Sequence, residues 1–104
     1  MDQIFQVLLF DEVKDFIRSR GSLDEAKILA AIAALRNQDS QSVYVKVLRG
    51  SIRELIVKQY RLIFFSVRHT FYFVGAFIKK SRKTPKHKID RAENIYKKII
   101  WKIK

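Results

Sequence analysis

Apolar residues change their spacing along this chain, and each change marks a new element. Gln3 to Leu9 is apolar with β-branched and aromatic members and predicts a first strand. Val13, Phe16 and Ile17 then recur at helical spacing, which predicts a helix over Glu12 to Arg20, capped by Asp11 and ended by Gly21. Ser22 and Glu25 form a Ser-x-x-Glu capping box for a second helix reaching about Asn37. Its apolar stripe is Ile28, Leu29, Ile32, Ala33 and Leu35. So short a joint between two helices predicts an antiparallel hairpin. Gln38 to Ser42 is a polar connector.

From here the period is extended. Val43 to Arg49 places Val43, Val45 and Val47 on one side, and Gly50-Ser51 reads as a turn. Ile52 to Lys58, Tyr60 to Arg68 and Phe71 to Ile78 follow, with breaks at Lys58-Gln59 and His69-Thr70. The breaks are too short for crossover helices, so four strands should form an antiparallel meander. A last helix is predicted from Pro85 to about Ile103, with Thr84 as N-cap and Pro85 at the first helical position. Its apolar face is Ile89, Ala92, Tyr96, Ile99 and Ile103. The expected fold class is α+β, in a single domain over residues 1–104.

Composition narrows the chemistry. Hydrophobic residues make up 48% of the 104 and aromatics 12%, enough for one core and against disorder. Cysteine is absent, so neither disulfides nor thiolate chemistry enters. Two histidines, His69 and His87, and few carboxylates predict no metal site, and no cofactor is expected. The N-terminus carries an early acid and only a short apolar run, unlike a signal peptide. The longest apolar run, Phe71 to Ile78, falls far short of the ~18–20 residues that span a bilayer. These features predict a soluble, cytoplasmic protein without a membrane partner.

The net charge of +12 is unevenly placed. Residues 1–40 hold five Lys/Arg and seven Asp/Glu, while residues 41–104 hold seventeen and three. Such concentration is the electrostatic footprint of a nucleic-acid partner, although a membrane surface or an acidic protein has the same sign requirement. It is densest after the Phe71–Ile78 run, where Lys79, Lys80, Arg82, Lys83, Lys86 and Lys88 stand with His87 and no acid. A strand end, a cationic loop and a helix N-terminus all favour phosphate.

The elements from Lys46 to Ala92 carry a family pattern. Lys46 and Leu48, Glu54-Leu55, Tyr60-Arg61, Phe77-Ile78-Lys79-Lys80, Lys83-Thr84-Pro85 and Ala92 together resemble the RelE/HigB toxins of bacterial type II toxin–antitoxin modules, in particular the phage-derived HigB-like branch. The resemblance implies a RelE-like fold and a small basic endoribonuclease that cuts messenger RNA on the ribosome. It also implies a helix-turn-helix, HigA-like antitoxin as partner. Two positions depart from the branch pattern. Ile56 stands where Arg usually follows Glu-Leu, which removes a charge from the RNA face. Lys88 lies near the place of a usual acid.

RNA supplies its own nucleophile, the 2′-hydroxyl. A metal-independent site needs that oxygen aligned on the adjacent phosphorus and fixed cations for the charge that develops. If Lys58-Gln59 is a two-residue turn, Ile56 pairs with Arg61, and Glu54, Ile56, Lys58, Arg61 and Ile63 share a face. Arg61 is then the first candidate for the scissile phosphate, with an ion pair to Glu54 as its structural alternative. A two-residue turn at His69-Thr70 would bring Ile78 and Lys80 to Arg61, and a three-residue loop Phe77 and Lys79, so both lysines remain candidates. Lys46, on the neighbouring strand, is a candidate proton acceptor or phosphate clamp. Arg53, Lys58, Arg82, Lys83, Lys86 and His87 are candidate RNA contacts. Two other functions fit the same cations: a gyrase-directed toxin like the related ParE proteins, or a non-catalytic nucleic-acid-binding protein.

Overall fold

A computed structural model describes residues 4–103. In chain order these form β1 (Gln6–Leu9), α1 (Asp11–Arg18), α2 (Ser22–Arg36), a 3-10 turn at Ser40–Ser42, β2 (Tyr44–Arg49), β3 (Ile52–Val57), β4 (Tyr60–Val67), β5 (Thr70–Ile78) and α3 (Lys86–Ile103). The fold is α+β, a five-stranded sheet in the order β1-β5-β4-β3-β2 with three helices. The meander β2 to β5 is antiparallel, and β1 adds to its far edge parallel to β5.

Helices cover both faces of the sheet. On one, Val13 and Ile17 of α1 and Ile28 and Ile32 of α2 meet Leu55, Tyr60, Leu62, Phe64, Phe71 and Phe73. On the other, Ala92 of α3 sits among Ile52, Ile63, Phe65 and Val74. Central β4 therefore buries Leu62, Ile63, Phe64 and Phe65 in succession. A strand covered on both faces reads as a continuous apolar run, whereas one with a wet face alternates. The expected α2 stripe is narrower in the structure: Leu29 and Ala33 face solvent, and Leu35 is half-buried.

The helix ends differ from the sequence reading. Phe10, not Asp11, holds the N-cap position of α1, and Asp11 lies in its first turn with Glu12, where carboxylates complement the helix dipole. The helix stops at Arg18, because the side chains of Ser19 and Arg20 turn back onto the Phe16 carbonyl. The Ser22–Glu25 box does not form. Gly21 is the N-cap at φ 90°, a conformation that side chains with a Cβ resist, and its carbonyl accepts from the Glu25 amide at 2.8 Å. The far end of α2 closes as a Schellman motif, with Gln38 at φ 61° and the Asp39 amide bonded to the Ala34 carbonyl. Ile4 and Phe5 precede the first strand, and Gln3, expected within it, lies outside the described residues.

Strand register is where local sequence had left two choices. Lys58-Gln59 is the two-residue turn expected, with Val57 opposite Tyr60 and Ile56 opposite Arg61. The next turn is Arg68-His69, one residue earlier than the spacing suggests, so Thr70 already pairs with Val67. A register shift between Ile63 and Phe64, where β5 carries the extra residue Val74, then places Phe77 opposite Arg61.

Candidate nucleic-acid interface

Strand alternation puts Lys46, Glu54, Arg61 and Phe77 on the α3 side of the sheet: Lys46 pairs with Glu54, and Arg61 with Phe77. Glu54 is 2% exposed. One of its carboxylate oxygens accepts a hydrogen bond from the Thr84 hydroxyl, and the other lies 3.7 Å from Arg61 Nε. The Arg61 side chain is only 11% exposed. Its Nη1 donates to the carbonyls of Lys58 at 2.8 Å and Tyr60 at 3.0 Å, while buried Nε has no hydrogen-bond partner. The guanidinium is thus fixed against the β3–β4 turn, and the ion pair with Glu54 is real.

The cationic loop is tied down around this pair. The Lys79 amide donates to the Gln59 carbonyl at 2.8 Å, and Thr84 reaches Glu54. Thr84 does not hold the cap position of α3, which begins at Lys86 after Pro85; its hydroxyl donates to a buried carboxylate. Pro85 lies before the helix, with its carbonyl accepting from the amides of Lys88 and Ile89. Arg49 holds α3 from the β2–β3 end through Asp90 at 2.7 Å and Glu93 at 3.1 Å. The hydrogen bond from Arg49, and after it the one from Lys86, hold the Asp90 carboxyl below its usual range. Arg91 holds α3 from the other side through the Val74 carbonyl and Glu12. Lys46, Lys80, Arg82 and Lys83 are exposed and form no ion pair among the described residues; Lys79 is half-buried. Lys86 is exposed but shares Asp90 at 3.1 Å.

Two of the expected RNA contacts belong elsewhere. Lys58 is not on the Arg61 face: at φ 54° in its turn it reaches Asp24 of α2 at 2.8 Å, and Tyr60 donates to the same carboxylate at 2.6 Å. These two bonds, Lys58 first, lower the Asp24 pKa, and the bond to Asp24 raises that of the Tyr60 phenol. Arg53 pairs with Phe64 and lines a cavity of about 330 Å³ with Leu35, Val43, Val45 and Phe71 on the α2 side. Alternation alone sends it there. His87 is exposed, at a small cavity beside Glu12, Val74 and Ala92.

A family model, the phage-derived protein Gp49-like (DUF891), matches residues 15–97. The chain belongs to this Gp49-like family. The family is phage-derived and associated with the toxins of toxin–antitoxin modules. No curated protein matched the chain.

The match on this Gp49-like chain runs from the second half of α1 through α2, the meander and most of α3, so it includes the whole Lys46–Ala92 pattern. Sequence reasoning had missed the part played by Thr84, whose position before a proline signalled a cap. It also missed the Asp24 clasp, which joins residues far apart in the chain. A third omission is a cleft of about 380 Å³ where Phe16 of α1 and Arg20, just after that helix, meet Phe77, Lys80 and Lys88. No helix among the described residues is long and apolar enough to cross a membrane, and no group of three or more His, Asp or Glu gathers there as a metal-ligand set.

Proposed function

We propose that this Gp49-like protein is the toxin of a toxin–antitoxin module and acts as a metal-independent endoribonuclease of the RelE/HigB kind. The observation that carries the reading is the bank of exposed cations, Lys46, Lys80, Arg82 and Lys83, at the rim of a buried Arg61–Glu54 pair. A single-stranded RNA backbone laid across this rim brings a phosphate toward Arg61. Nη1 is bonded to two backbone carbonyls and Nε is buried facing Glu54 without a hydrogen bond, which leaves Nη2 as the donor for a phosphate oxygen. Attack by the 2′-hydroxyl yields a cyclic phosphate and releases a 5′-hydroxyl, with the developing charge met by Arg61, Lys79 and Lys80. Lys46, opposite Glu54 in register, takes the role of proton acceptor or phosphate clamp. Arg82, Lys83, Lys86 and His87 hold flanking phosphates. The substrate is messenger RNA on the ribosome, and a helix-turn-helix, HigA-like antitoxin neutralises the protein by covering the basic rim.

Induced expression without a partner, followed by mapping of RNA ends, tests this. New 5′-hydroxyl ends within translated messages are expected. Growth arrest with gyrase-dependent DNA breaks and intact messages would move the protein to ParE-like action. A second reading, non-catalytic nucleic-acid binding, is favoured by one observation: Arg61 is mostly buried and half-committed to backbone carbonyls. It predicts RNA binding with no new ends.

A further inference from the structure

The cleft around the outer edge of β5 lies beside the proposed cleavage site and, Lys80 apart, is used by none of the steps above. β1 pairs with β5 only as far as Phe73, so the outer edge beyond that residue has no strand neighbour. At the end of this edge the chain forms the cleft of about 380 Å³, within the roughly 300–1,000 Å³ usual for small-molecule sites. Its walls are Phe16 from α1, Arg20 from the joint after it, Phe77 and Ile78 from β5, and Lys80, Ser81, Pro85 and Lys88 from the loop and α3. Three of these are cations and none is an acid.

The cations and aromatic rings are interleaved. The Arg20 guanidinium lies over the Phe16 ring at 4.2 Å, held by its Nε bond to the Phe16 carbonyl and its Nη2 bond to Ser19. The Lys88 ammonium lies 5.2 Å from the Phe77 ring centroid. A ligand for this space needs a flat apolar body to lie against rings and guanidinium, and an anionic group for the ammonium groups. Nucleotides have both, and unpaired bases stack on aromatic and arginine planes alike. The register adds a direction. Phe77 sits opposite Arg61, so the cleft adjoins the phosphate position proposed above.

We propose that this cleft is a nucleotide subsite, taking the base and phosphate of a residue that flanks the scissile bond in single-stranded RNA. The proposal rests on the ribonuclease reading for its neighbour at Arg61, but the site itself is independent of cleavage. Phe16 and Phe77 supply the walls, Arg20 a stacking plane, and Lys80 and Lys88 the phosphate contacts.

The test uses the full chain with adenosine 5′-monophosphate, ribose 5-phosphate and inorganic phosphate as probes, followed by the NMR ring resonances of Phe16 and Phe77. The monophosphate should shift both rings and bind more tightly than ribose 5-phosphate. Phe77→Leu should weaken it by about 5- to 150-fold, the worth of one base–aromatic stack, with ribose 5-phosphate unaffected. Ile78→Glu sets a negative charge on an exposed wall without touching the core, and should weaken both probes even if Phe77→Leu folds poorly. Equal affinity for the two probes without ring shifts would overturn the subsite. So would ring shifts from an acidic, aromatic peptide but not from the nucleotide, which would make the cleft a protein-docking groove. RNA cleavage by a protein whose cleft ignores nucleotides would refute this inference alone. Nucleotide binding in the cleft of a protein that cuts no RNA would uphold it and refute the ribonuclease reading.

Discussion

Replacing Arg61 with alanine tests two roles at once, because the residue is both the candidate phosphate donor and the only cation paired with buried Glu54 among the described residues. Arg61→Ala leaves a carboxylate that is 2% exposed with the Thr84 hydroxyl as its remaining side-chain partner. Breaking a buried pair from one side costs about 3–5 kcal/mol, since the surviving charge stays desolvated. At 3.7 Å the Nε–Oε1 contact is an ion pair without a hydrogen bond, which places the expectation near the lower end, about 3 kcal/mol. That is a large part of the roughly 5–15 kcal/mol that holds a small domain together, and should lower Tm by at least about 10 °C. Adding Glu54→Gln removes the stranded charge, so the double variant should recover most of the lost stability. Cleavage should not recover with it. Loss of a preorganised charge-stabilising donor slows reaction by roughly 100- to 1000-fold, and glutamine at position 54 cannot supply one. Urea denaturation and single-turnover cleavage on the same samples give both quantities. A cost below about 1 kcal/mol, the range of an exposed pair, would refute the buried-charge argument. Recovery of cleavage along with stability in the double variant would assign Arg61 to the scaffold and leave Lys46, Lys79 and Lys80 to carry the chemistry.

Thr84→Val keeps the shape of the side chain and removes its bond to Glu54; it should cost about 1.5–3 kcal/mol in urea denaturation and speed limited proteolysis within residues 79–85, and an unchanged protein would show that this bond does not anchor the loop. Arg82→Ala and Lys83→Ala should each reduce the slope of log affinity for RNA against log salt by about one; an unaltered slope would turn the loop away from the nucleic acid. Asp24 has a lowered pKa in the fold, so its contribution is complete above the ordinary carboxylate range and is lost as pH falls through the folded value. Asp24→Asn should therefore melt below the native chain at neutral pH, with the gap closing below about pH 4; a gap constant with pH would refute the clasp.

Periodicity sufficed for the identity and order of the helices and strands, because the spacing of apolar residues is a local property. The narrow Val13, Phe16, Ile17 set is readable without knowing what it packs against, and the Val45, Val47 alternation marks a strand although both residues stay exposed on edge strand β2. The Lys58-Gln59 turn was equally local and fixed the pairing of Ile56 with Arg61. What lay on either side of the sheet was not local. Arg53 and Lys58 are basic residues near Arg61 in sequence, yet one faces α2 by alternation and the other is drawn to Asp24. Thr84 before Pro85 carries the local signature of a cap, but its hydroxyl instead donates to buried Glu54, thirty residues earlier, a carboxylate that needs a partner more than exposed helix amides that water can solvate. The pairing of Phe77 with Arg61 depended on a one-residue turn shift and an extra residue at Val74, neither of which the local spacing marks. Sequence by itself determined the elements, their order and the concentration of charge. Tertiary structure decided which cations stay unpaired, because that depends on which carboxylates the fold places beside them.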